Sequence, residues 1–140
     1  MLRRITSTHK TWATVPLRLA LGLIFIAHGA QKVFGAFGGR GLSAFISAPA
    51  PLGLWPSWLW MSAAAFSELL GGVLVLLGLF TRLGALAIAG VMLTVIFGVH
   101  RHAFFVNQGG MEFPLALLSI ALTLLYLGGG KLSVDANLRL

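Results

Sequence analysis

The chain has 140 residues, 58% of them hydrophobic and only 9% charged, with a net charge of +7 and no cysteine. A soluble domain carries roughly 25% charged residues, so a water-facing globule and a disordered chain are both excluded, and the outside must face lipid. Without cysteine the chain has no disulfide, thiolate metal site or thiol redox centre of its own.

The elements follow in chain order. Residues 1–14 form a basic tail carrying Arg3, Arg4 and Lys10. A first apolar run, 15–34, is interrupted by Arg18, His28, Gln31 and Lys32. Its basic flank also fits a secretory signal, but cleavage would strip the other spans' polar residues of their partners, so the run is read as a retained span. A loop over 35–57 is rich in glycine and proline. Within it residues 42–46 are too short to span and are expected to lie in the outer interface or dip partway in. The run 58–80 contains one charge, Glu68, while 83–99 and 113–127 contain none. The link at Thr81-Arg82 is so short that the second and third helices must be antiparallel neighbours. Only self-satisfied helices are stable in lipid without partners, so the reading is an all-α integral membrane four-helix bundle. Its expected organisation is a tail over 1–14, a membrane domain over 15–128 and a C-terminal tail over 129–140.

Orientation follows from the basic residues. With the N-terminus inside, the cytoplasmic side holds Arg3, Arg4, Lys10, Arg18, Arg82, Lys131 and Arg139, against Lys32, Arg40 and Arg101 outside. Seven against three places both termini in the cytoplasm. The net charge is thereby explained by topology, and no nucleic-acid partner is expected. Trp12 then falls near the inner interface, and Trp55, Trp58 and Trp60 near the outer one.

An ionisable group inside a membrane costs about 2.5–3.5 kcal/mol on insertion scales and is a functional candidate by default. Glu68 lies ten residues into its span, roughly 15 Å deep at 1.5 Å per residue, which is the midplane. Ala64, Ala65, Gly71 and Gly72 surround it at helical spacing, a small-residue face against which another helix packs closely. On the first helix, Arg18, Gly22, Phe25, Gly29 and Lys32 share a face, with His28 beside Lys32. The third helix delivers His100, Arg101 and His102 to the same side, and the fourth opens with Glu112 and Pro114. Candidate ligand-binding or proton-handling residues are therefore His28, Lys32, Glu68, His100, Arg101 and Glu112, with no catalytic residue identified. Glu112 equally suits a helix dipole, and Lys32 equally suits snorkelling to headgroups. His100 and His102, two apart, make no helical metal pair, and no metal site is expected.

These residues add up to a resemblance. His28-Gly-Ala-Gln-Lys32, Phe37-Gly-Gly with Gly41-Leu42, Glu68-Leu-Leu-Gly-Gly72, Leu77-Gly78 before Thr81-Arg82, and Asn107-Gln-Gly-Gly-Met-Glu112 resemble the DoxX family, in order, from about residue 16 to 127. The resemblance implies a multi-pass protein of the bacterial cytoplasmic (inner) membrane. Some relatives are the membrane subunit of a thiosulfate:quinone oxidoreductase, working with further domains or partners; others are linked to sulfur-redox or oxidative-stress complexes.

Two function classes stay open. One is an accessory subunit of a redox complex that binds a quinone-like or other small apolar ligand between the midplane and the outer face. It would have no intrinsic cofactor, take electrons from a partner, and not act as a catalyst alone. The other is a small-molecule transporter or carrier, or a non-catalytic assembly scaffold. Either is expected to sit in the lipid bilayer with a protein partner or as a homo-oligomer, since its glycine-rich faces exceed what one bundle needs.

Overall fold

The computed structural model describes residues 2–138, with side chains from Arg4 onward. Arg139, counted above, and the Arg3 side chain lie outside the described residues. In chain order the elements are α1 (Leu2–Ile5), α2 (Thr14–Val33), α3 (Gly41–Ile46), α4 (Ser57–Leu77), α5 (Thr81–Gly98), α6 (Glu112–Leu127) and α7 (Val134–Asn137). Among the described residues there is no strand. Helices α2, α4 and α5 are long and apolar enough to cross a membrane, whereas α6 has 16 residues. At 1.5 Å per residue α6 is about 24 Å long, short of a hydrocarbon core of about 30 Å.

Helix α2 packs on α4, α4 on α5, α5 on α6, and α6 returns to touch α2. One apolar core joins them through Leu21 and Phe25 of α2, Val75 of α4, Ile88 of α5, and Leu117 and Leu124 of α6. The predicted shared face of α2 is the buried one: Arg18, Gly22, Phe25 and Gly29 all point inward. Glycine decides how near α4 can come. A Cβ on Gly29 would lie 2.5 Å from Leu69 Cα, and one on Gly72 would lie 2.7 Å from Ile26 N. Backbones this close gain dispersion contacts that larger residues would prevent. Gly71 and Gly84 do the same between α4 and α5. Gly22, Gly29, Gly71, Gly72 and Gly84 thus meet neighbouring helices within the chain, while Gly90 faces open space.

One boundary differs from expectation. The α4–α5 link is not Thr81-Arg82; α4 ends at Leu77 and α5 begins at Thr81, so residues 78–80 make the turn. Gly78 supplies the left-handed backbone, φ 67°, that closes α4. Helix α5 starts early because a distant acid caps it: Asp135 accepts from Phe80 N at 2.8 Å, Thr81 N at 2.9 Å and Thr81 Oγ1 at 2.7 Å. These satisfy donors that no intrahelical carbonyl reaches.

Arg18 performs the converse task. Its guanidinium donates to Leu76 O at 3.0 Å and to Val75 O at 3.1 Å, in the last turn of α4, where Val75 O also accepts from Gly78 N at 3.1 Å. It also donates to the carbonyls of Gly129, Lys131 and Leu132. Residues 129–137 therefore fold back over the ends of α2, α4 and α5, tied further by Thr14 Oγ1 donating to Gly129 O at 2.9 Å and Lys131 N donating to Thr11 O at 2.9 Å. At the opposite end, α3 packs against α2 and α4, and the turn at Pro51–Gly53 rests on α5.

Candidate functional site

The site begins with a pairing between two helices. Lys32 Nζ donates to Glu68 Oε2. Glu68 is 3% exposed, whereas Lys32 is partly open. The geometry has a simple origin. Gly29, one turn before Lys32, meets the backbone of Leu69, so the two helices touch next to the pair and the lysine need only reach sideways. An unpaired buried carboxylate is costly, and an ammonium at hydrogen-bond distance removes most of that cost. Phe45 of α3 lies on the other side, its ring centroid 5.4 Å from Nζ.

The pair forms a wall between two cavities. The larger, about 480 Å³, lies between α4 and α5 under α3 and the Pro51–Gly53 turn; besides the pair, Phe45, Trp60, Ser67 and Thr94 line it. Its size is within the roughly 300–1,000 Å³ of small-molecule sites, and its walls are mostly apolar with a few polar groups, as such sites usually are. The smaller, about 240 Å³, lies toward α6 and adds His28, His100, Phe113 and Pro114. Lys32, Glu68 and Val95 line both.

Four of the six candidates therefore meet. His28 and His100 line the smaller cavity, and Lys32 and Glu68 stand at the partition. His100 Nδ1 donates to Gly109 O at 2.5 Å, so in the neutral ring Nε2 is its acceptor nitrogen. The other two stand apart. Glu112 Oε1 accepts from Val106 N at 2.7 Å and closes the loop that leads into α6. Arg101 is exposed, its Nε 3.4 Å from His102 Nε2. Neither lines either cavity.

Several lining residues are not singled out as site residues by the sequence. Trp60 and Ser67 recur with Ala64 at helical spacing on α4, as do Ala87, Val91 and Thr94 on α5. From sequence, Trp60 reads only as part of an interfacial belt. A hydroxyl within an otherwise apolar run, at Ser67 beside Glu68 and at Thr94, was the available signal. Thr94 Oγ1 donates to Gly90 O at 3.0 Å, which leaves its lone pairs to accept.

Three apolar helices of spanning length, packed through glycine and enclosing an acid–ammonium pair beside an apolar chamber, define a small helical membrane protein with an ionisable interior site. The DoxX family model matches residues 13–101, and the chain belongs to that family. That stretch carries α2 through α5 and both residues of the pair, and it ends before α6. A relative from Bacillus subtilis (strain 168), named "Putative oxidoreductase CatD", is 35% identical over 111 residues, which cover 79% of this chain and 77% of that protein. No solved structure matches.

Proposed function

We propose that this protein is a four-span subunit of the bacterial cytoplasmic membrane, both termini inside, that binds a quinone-like ligand beside the Lys32–Glu68 pair and serves a redox complex. The observation that carries the reading is the apolar chamber of about 480 Å³ whose one ion pair offers both an ammonium donor and a carboxylate. A quinone carbonyl accepts from an ammonium, and a quinol hydroxyl donates to a carboxylate, so the same two groups suit both redox forms. Reduction of a quinone to a quinol takes up two electrons and two protons. His28 and His100, in the smaller cavity behind the pair, are titratable groups on the side away from the ligand.

The electrons come from a partner protein; without cysteine the chain has no thiol redox centre of its own. Membership of a family with a relative named as an oxidoreductase supports that assignment. The seven-to-three distribution of basic residues supports the orientation. For α6, the four-span reading requires local thinning of the bilayer or a flanking turn.

The test is electron transfer in the native complex. Glu68→Gln is expected to abolish quinone-linked turnover while the complex still assembles; normal turnover in that variant would overturn the reading. Proton-coupled solute flux in proteoliposomes, with no response to quinone, would instead assign a transporter.

A further inference from the structure

The tail end of the bundle carries cations that no acid answers. Among the described residues Arg4, Lys10, Arg82 and Lys131 stand there, with Trp12 and Tyr126 exposed beside them. The chain has three acids in all. Glu68 is paired inside, and Glu112 closes a loop at the opposite end. Asp135 is 4% exposed, with both oxygens given to Phe80 and Thr81. Arg82 is the most firmly held of these exposed cations. Its Nε donates to Ser7 O at 3.1 Å and its Nη2 to Tyr126 O at 2.9 Å, which fixes the guanidinium between the start of α5 and the end of α6. A guanidinium has five N–H donors, so these two bonds leave three for an acceptor outside the chain. Helix α1 packs on α5, and Ser7 Oγ donates to Arg4 O at 3.0 Å, which fixes the backbone of a second arginine nearby. His9 stacks on the Tyr126 ring with centroids 5.7 Å apart. An exposed tyrosine at a helix end sits at headgroup depth. Deeper in, the surface turns apolar. Leu86 and Leu93 continue the Arg82 face of α5, Leu122 and Leu115 continue the Tyr126 face of α6, and all four are exposed.

We infer that this surface binds an anionic phospholipid, its phosphate on Arg82 with Arg4 beside it and its acyl chains along the leucine rows of α5 and α6. In the orientation proposed above, the lipid belongs to the cytoplasmic leaflet. A guanidinium fork matches two phosphate oxygens, and one already held by two carbonyls loses little freedom on binding. The neighbouring cations set the selectivity. The ammonium of a zwitterionic headgroup would meet Arg4 and Lys10 as a like charge, whereas a glycerol headgroup adds no charge to the phosphate. The leucine rows select a lipid over other anions. Acyl chains cover them while the phosphate stays at headgroup depth, which neither free phosphate nor an acidic peptide can do.

The test is native mass spectrometry of the full chain released from detergent micelles, titrated with dioleoyl phosphatidylglycerol and with dioleoyl phosphatidylcholine. Each basic residue near an anionic lipid contributes roughly fivefold, so with two arginines the glycerol lipid is expected to bind at least about tenfold tighter. Arg82→Gln should remove most of that preference, and Arg40→Gln, an exposed arginine at the other end, should keep it. Where Arg82→Gln fails to fold, Arg4→Gln carries the test, with an expected loss of about fivefold. Equal affinity of the parent for the two lipids would overturn the site, as would an unchanged preference in the arginine variants at the tail end. Displacement of the lipid by millimolar glycerol phosphate would reassign the site to a free anion, and displacement by a hexaglutamate peptide to an acidic protein; either result overturns the lipid assignment. Glu68→Gln should keep the lipid preference, so failure here leaves the proposed function standing.

Discussion

Lys32 in the last turn of α2 and Glu68 midway along α4, 36 positions apart in the chain, form the single ion pair among the described residues. The pair is at once the link between two helices and the wall between two cavities. Its two roles can be separated experimentally. Removing one partner of a buried pair typically costs about 3–5 kcal/mol, because the other charge is left uncompensated, while replacing both with apolar residues costs far less. Lys32 is partly exposed here, so the lower end applies. Lys32→Met is expected to lower the unfolding free energy by about 3 kcal/mol, and Lys32→Met with Glu68→Leu to restore most of that loss while abolishing quinone-linked turnover. Unfolding of both variants in mixed micelles measures the difference.

The α2–α4 contact admits no side chain at Gly29. A Leu there would drive a Cβ to 2.5 Å from backbone atoms of Leu69. Gly29→Leu should separate the helices, lower the unfolding midpoint strongly and open the Lys32–Glu68 pair. Gly90→Ala, placed where nothing lies within 4 Å, should leave stability within about 0.5 kcal/mol of the parent or slightly raise it. Equal stability of the two variants would contradict the close approach described.

Asp135 caps α5 from 54 residues away, so its loss should be felt at the α4–α5 turn and not at the C-terminus alone. Asp135→Ala leaves two backbone donors and the Thr81 hydroxyl without their carboxylate, a cost of about 2–3 kcal/mol for charge-assisted bonds. Amide exchange is expected to rise at Phe80 and Thr81 above all. Unchanged protection there would remove the capping role.

Glu112 serves the loop before α6 and not the cavities. Glu112→Ala should lose the bond to Val106 N, cost about 1–2 kcal/mol, and leave quinone-linked turnover of the native complex near the parental rate. A loss of turnover as large as that expected of Glu68→Gln would return Glu112 to the ligand site.

The absence of cysteine makes topology directly measurable. Single cysteines at Lys10 and Lys131, both exposed, are expected to react with a membrane-impermeant maleimide only after inverted vesicles are presented. A cysteine at Arg101 should react from the outside of intact cells. The reverse pattern would invert the orientation and place the quinone head nearer the cytoplasm.

Much of this was legible along the chain because helical periodicity in lipid is demanding. The runs at 15–34, 58–80, 83–99 and 113–127 became helices with ends shifted by no more than three residues. The buried face of α2 followed from its 100° spacing. Glu68 announced itself as a lone acid among small residues, and His28 and Lys32 as nitrogen groups near the end of a neighbouring span. Arg101 and Glu112 looked equivalent to them in one dimension, because sequence places residues at a height but not at an angle around the helix axes. The loop over 103–112, bound within itself through Met111 N to Ala103 O and Glu112 N to Phe104 O, engages Glu112 in its own turn, and Arg101 just before it stands exposed.

Composition and period by themselves determined that this chain is helical, that its surface is apolar, and that an acid lies deep within it, since burying a carboxylate in lipid is too costly to be incidental. Only the tertiary structure decided that Lys32 and not His28 takes that acid, that Arg18 and Asp135 cap helix ends contributed by other parts of the chain, and that the pair lines two cavities at once. Those outcomes depend on how closely two backbones approach, and that distance is set jointly by glycines on different helices, as at Gly29 against Leu69 and Gly71 against Gly84.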